Sequence, residues 1–404
     1  MMTSRERVNA VLNHRIPDFL PNCWGGCETA GLHVKPYQEL VAALGLPKRP
    51  SRVDTFMFNA VMDEDVLLKM QGDMLLIASP MMCCRPLRAK EGWNLHSLFG
   101  IDVELTDNYS FEHTPSMSYL LDHGHRVMRC PAGGMYYDGM PGGDMFDDAE
   151  VPAPSNHRPP HDIPDEKLRQ LEDIARTAYE NTDFALCLGE TVVDLQLMPG
   201  GMLAWYEALL NEPEITDEYL GRNVEAALDQ IVLLDQAVGK YCSVMSIAHD
   251  LGDARGVTIG AQLFRERYKP FYKQLFEGWH ARTGMKVNLH SCGAVSEIIP
   301  DLIECGVDVL NPVQISANGM EPERVRELAG DKLVLYGGAL DCIQTPHETD
   351  PETLYRQVKR NISILGKGGN YLFAGVHNTA ATTPRSHIEA ALRAYQDMRG
   401  MYAD

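Results

Sequence analysis

The chain has 404 residues, and 36 basic against 56 acidic side chains give a net charge of −20. That balance excludes a nucleic-acid binder, which needs a basic face for phosphates, and a protein that docks on anionic lipid. Hydrophobic residues at 45% and charged residues at 23% describe a globular chain rather than a disordered or fibrous one.

The first residues, MMTSRERVNAVLNHR, carry no apolar core of the signal-peptide kind, and no run of about 18 apolar residues follows, so the expected setting is cytoplasmic. SRERVNAVLNH reads as a helix that precedes the first strand and covers the bottom of the fold. Short apolar runs then predict parallel strands at FLPNCWG (19–25), DMLLIAS (73–79), FALCLGE (184–190) and SVMSIAHD (243–250). The series continues with KVNLHSC (286–292), VDVLNPV (307–313), LVLYGGAL (333–340) and YLFAGVH (371–377). Helical patterns lie between them, at 203–211, 218–241, 264–283, 295–306, 321–330, 351–368 and 385–400. Eight strand–helix units predict an α/β fold, a (β/α)8 TIM barrel with an N-terminal helical extension. A doubly wound sheet is the alternative, but no Gly-rich dinucleotide fingerprint follows any strand.

Residues from about 95 to 165 break the rhythm. They alternate as antiparallel strands with Gly and Pro turns and end in the proline-rich 151–166, which predicts a β-rich insertion between the second and third barrel strands. The whole of 1–404 is read as one barrel domain carrying that insertion.

A barrel gathers its chemistry at the C-terminal ends of the strands, where the βα loops converge. Those positions hold Trp24, Cys27 and Glu28 after strand one, Glu190 after strand three, and His249, Asp250 and Asp253 after strand four. They hold His290 and Cys292 after strand five, Asn311 and Gln314 after strand six, Asp341 and Cys342 after strand seven, and His377 and Asn378 after strand eight. Tyr136 and Tyr137 of the insertion are aromatics that can roof the mouth.

Ten cysteines are too sparse for a disulfide scaffold, and most of them, the adjacent Cys83 and Cys84 included, read as buried thiols. In His290-Ser-Cys292 the strand period puts imidazole and thiol on one side. The pair suits a borderline metal, zinc by default, although on these residues alone a packed core pair is the commoner arrangement. Glu190 reads either as a ligand or substrate contact or as a helix cap.

The stretches RERVNAVLNHRIPDFLP (5–21), AHDLGDARG (248–256), LHSCGAVSEIIPDLIECGVDVLNPVQ (289–314) and LYGGALD (335–341) resemble the uroporphyrinogen decarboxylase superfamily. Within it the chain resembles the zinc- and corrinoid-dependent methyltransferases. That branch holds zinc by a His-x-Cys pair and a Cys lying six residues before a Thr-Pro. The resemblance implies Zn2+ on His290 and Cys292, and on His377, which stands six residues before Thr383-Pro384 with imidazole where the family has thiolate. Places at the strand ends make Asp250 and Glu190 the expected catalytic carboxylates, and Trp24, Glu28, Asn311 and Asp341 the expected substrate contacts. The resemblance also implies a small methylated substrate and a corrinoid-binding protein as partner. The decarboxylase branch carries an arginine motif after the first strand, whereas 22–31 here is NCWGGCETAG, without arginine and with a glutamate.

Overall fold

In a computed structural model of the protein, residues 1–78, 90–138, 150–341, 344–345 and 347–402 are described. Cys83, Cys84 and Cys342 lie outside these residues, as does the end of the Gly-rich stretch that follows Tyr137.

The strands in chain order are β1 (Ser51–Arg52), β2 (Met74–Ala78), β3 (Trp93–Leu98), β4 (Ile101–Thr106), β5 (Tyr109–His113), β6 (Met117–Asp122) and β7 (His125–Pro131). They continue with β8 (Ala185–Leu188), β9 (Cys242–Ala248), β10 (Lys286–His290), β11 (Val309–Asn311), β12 (Val334–Tyr336) and β13 (Tyr371–Leu372). Seven of these form one parallel sheet in the order β13-β12-β11-β10-β9-β8-β2. Both faces of such a sheet are covered, which is why its strands read as unbroken apolar runs. Its two edges meet through the first predicted strand, reduced here to single bridges. Asn22 pairs in parallel with Phe373 beside β13 and with Gly72 beside β2. The bonds are Cys23 N–H to Phe373 O at 2.9 Å, Phe373 N–H to Pro21 O at 3.0 Å and Asp73 N–H to Asn22 O at 2.7 Å. The chain is a TIM-barrel-like α/β fold closed at Pro21–Cys23.

The N-terminal helix Ser4–Leu12 lies under the barrel, where the strands begin. Arg5 reaches the carbonyls of Tyr179, Thr182 and Phe184, just before β8. Arg7 pairs with Asp18 at 2.8 Å and with buried Asp73 at 2.5 Å, and Asp73 in turn accepts the Asn22 N–H. The expected helix at 218–241 is Pro213–Leu234 with a π turn over Asp235–Gly239. No described helix is long and apolar enough to cross a membrane.

Between β2 and β8 the chain builds two small sheets. One is β1-β4-β3, which borrows β1 from the segment ahead of β2, and the other is β5-β6-β7. They share a separate apolar cluster of Phe58, Val103, Leu105, Leu120 and Tyr137.

Candidate metal centre

His290 ends β10, its ring 5% exposed and facing the mouth of the barrel. Its Nδ1 donates to Asn311 Oδ1 at 2.9 Å. That bond fixes the tautomer, so Nε2 carries a lone pair towards the mouth. Cys292 follows after the strand has ended, where two loops touch. Gly293 has φ +85°, and a Cβ there would stand 2.3 Å from the backbone of Gly252, so only glycine permits the approach. Asp250, from the loop after β9, accepts the Cys292 N–H at 2.9 Å, and Gln196 accepts the N–H of Asp250.

The result is a thiol 3.4 Å from His290 Nε2. Two donors around one tetrahedral zinc stand about 3.5 Å apart. His377, beyond β13, completes the group. Its ring meets that of His290 edge-on at 5.2 Å, and the ligand atoms of His290, Cys292 and His377 lie within 4.8 Å of one another. His377 is held less firmly for the task, because its Nδ1 accepts the Asn378 N–H at 2.7 Å. The proton of the neutral ring is then on Nε2. Ligation requires either a rotated ring or use of Nδ1 itself.

Electrostatics suit a cation. Burial pushes the His290 imidazole down, and burial followed by the nearby His290 takes His377 to about 4, so both rings are neutral at pH 7. Burial, reinforced by Asp250, pushes the Cys292 thiol up, so a metal must displace its proton. Asp250 Oδ1 lies 3.7 Å from His290 Nε2. One thiolate, two imidazoles and a neighbouring carboxylate fit zinc.

The other expected site residues divide. Glu28 and Glu190 come together, Glu190 N–H donating to Glu28 Oε1 at 2.8 Å, and both are 5% exposed. Burial, then Glu28, Asp194 and Asp250, push the Glu190 carboxyl well above its usual range. Three expected substrate contacts also serve the fold. Trp24 is fully buried, its ring edge-on to Phe373 and its Nε1–H on Thr379 Oγ1, because the loop after Cys23 folds back over the barrel wall. Asn311 is fully buried, and its Oδ1 is taken by His290 and by the Thr29 hydroxyl at 2.6 Å. Asp341 caps a turn by accepting the Gln344 N–H at 2.9 Å.

A Cβ at Gly338 would meet Val313 and Leu365, so the turn after β12 packs closely on its neighbours. Asp253 caps its own loop through Arg255 and Gly256. Tyr136 accepts the Ala381 N–H at 2.8 Å beside the loop that carries His377, whereas Tyr137 is buried among the small sheets. Sequence reasoning missed Thr29, Gln196 and Asp194. Asp194 had a signal, a carboxylate four residues past Glu190 in the same loop.

The geometry defines a (β/α)8 barrel with a candidate His–Cys–His metal centre at its mouth. The uroporphyrinogen decarboxylase (URO-D) family matches residues 195–398, half of the chain, and the protein belongs to that family. Its fold is similar to that of a methyltransferase from Methanosarcina mazei, with a TM-score of 0.57 at 15% identity over 98% of this chain and 99% of that one. A putative vitamin-B12-independent methionine synthase from Listeria monocytogenes scores 0.38 at 13% identity over 57% of this chain and 68% of that one. Among curated proteins no sequence matches the chain.

Proposed function

We propose that the protein is a methyltransferase that moves a methyl group from a methoxy compound, a methoxylated aromatic, to the cobalt of a corrinoid held on a separate protein. The observation that carries this reading is the convergence of His290, Cys292 and His377 within 4.8 Å at the mouth. Family membership and the likeness to the Methanosarcina methyltransferase support it.

When bound, zinc supplies Lewis acidity to the heteroatom that leaves the methyl group. The donor set chooses the heteroatom. Two thiolates and one imidazole cancel the +2 charge and suit a thiol acceptor. Two imidazoles and one thiolate leave about +1, a harder ion suited to an ether oxygen. Asn311 keeps His290 in the tautomer that ligates, and Asp250 holds the Cys292 loop. Residues 22–31 offer no arginine to hold the carboxylates of a polycarboxylated tetrapyrrole, which disfavours decarboxylation of such a substrate.

The corrinoid must come from a partner, since the chain has no Asp-x-His-x-x-Gly segment of the cobalamin-binding kind. A net charge of −20 favours a partner with a basic or neutral docking face. A donor screen tests the reading. Zinc-loaded protein is mixed with cob(I)alamin and methoxyarenes, methylamines or thioethers, and methylcobalamin is followed by absorbance. Formation from methoxyarenes is the expected result. Formation from none of the donors, together with methyl transfer from methylcobalamin to a thiol, would reverse the assigned direction.

A further inference from the structure

The loop after β8 carries Glu190, which is 5% exposed. Its carboxyl makes no hydrogen bond or ion pair with any described residue, the one bond of Glu190 outside the backbone network being its N–H to Glu28. The charged groups acting on it come from three loops and are all acidic: Glu28, Asp194 and Asp250. With burial as the largest cause, they keep it protonated well above the usual carboxyl range.

A relay of contacts links the loop of Glu190 to the metal centre. Glu28, which it touches, adjoins Thr29, whose hydroxyl reaches the Asn311 oxygen that holds His290. Asp250, which acts on Glu190, also binds the Cys292 N–H. Glu190 also lines a cavity of about 440 Å3 together with Asp162, Lys167 and Asp194. Burial raises the Asp194 carboxyl to about 7, where it exchanges protons readily.

We propose that Glu190 is the acid that protonates the oxygen leaving the methyl group, and that Asp194 resupplies it from the cavity. The proposal rests on the ether reading above. Cobalt(I) of the partner corrinoid donates the electron pair that forms the cobalt–carbon bond while the carbon–oxygen bond breaks. The oxygen keeps that bonding pair and takes the Glu190 proton, giving a neutral phenol. Glu190, left as carboxylate among other carboxylates, recovers a proton through Asp194.

The test compares zinc-loaded wild type, Glu190→Gln and Asp194→Asn with methoxyarenes of graded phenol acidity and cob(I)alamin. Glu190→Gln should lose about 10²- to 10⁴-fold in rate with the least acidic phenol, and progressively less as the phenol becomes more acidic. Asp194→Asn, which can still accept the Gln196 N–H, should slow repeated turnover but not the first. Infrared spectra at pH 7, which need no turnover, should show in the Asp194→Asn background a protonated-carboxyl band that is lost when Glu190→Gln is added. An equal loss with every phenol, or no such band, overturns the proposal. Ether turnover with Glu190→Gln at the wild-type rate removes Glu190 alone, whereas no ether turnover in wild type removes the functional reading with it.

Discussion

His290 Nδ1 and Asn311 Oδ1 stand 2.9 Å apart, and the same oxygen takes the Thr29 hydroxyl at 2.6 Å from another loop. Three strand ends are thereby tied into one support behind a single imidazole. Partners of this kind typically contribute 10- to 100-fold to metal affinity. Asn311→Ala should therefore weaken zinc binding by about that factor, while Asn311→Asp, which still accepts from Nδ1, should keep most of it. Competition with a chromophoric chelator measures both, with circular dichroism as the check on folding.

His290 is pre-set by Asn311, whereas His377 must first give up the Asn378 N–H. His290→Ala should accordingly cost more zinc affinity than His377→Ala. The same chelator competition reads the order, and equal losses would mean that the Asn311 support contributes nothing.

Much of the barrel was legible because its strands are buried on both faces and read as apolar runs. Their lengths were not. The run 371–377 forms a regular strand only over Tyr371–Leu372, and beyond it pairing continues as single bridges, Phe373 with Asn22 and Gly375 with Leu340. The first run survives only as the bridges of Asn22. For the centre, the period of two set His290 and Cys292 on one side, but the thiol is placed by the meeting of Gly252 and Gly293, which no periodicity encodes. The directions of Trp24, Asn311 and Asp341 were illegible for a related reason. A loop after a strand has no fixed alternation, so residue type alone does not say whether a side chain faces a ligand or the core.

Barrel closure depends on a buried ion pair. Arg7 lies 2.5 Å from Asp73, whose other oxygen accepts the Asn22 N–H at 2.8 Å. Arg7→Met leaves that carboxylate buried without its cation and should destabilise the protein by about 3–5 kcal/mol. Denaturant unfolding measures the change, and a loss below about 1 kcal/mol would show the pair to be dispensable.

Acid should weaken the fold through its buried imidazoles. Burial takes His33 to about 4 and His249 to about 4, against about 6.5 in an unfolded chain. Between those values the unfolded state binds more protons. The stabilisation is therefore complete above pH ~6.5 and is lost as the pH falls towards 4. His33 also accepts the Lys35 N–H at the start of its helix, a role asparagine can fill. Unfolding midpoints at pH 7.5 and pH 5 should differ less in His33→Asn than in wild type.

The central claim is that a two-imidazole, one-thiolate zinc centre is electrophilic enough to release methyl from an ether. Zinc content measured beside the methoxyarene-dependent methylation rate of cob(I)alamin, in wild type, His377→Cys and His377→Ala, tests it most directly. His377→Cys should keep its zinc, since thiolate is at least as good a ligand, yet turn over more slowly as the charge at the centre falls from about +1 to about 0. His377→Ala should lose metal affinity and activity together. A zinc-replete His377→Cys protein that demethylates the ether at the wild-type rate would contradict the claim.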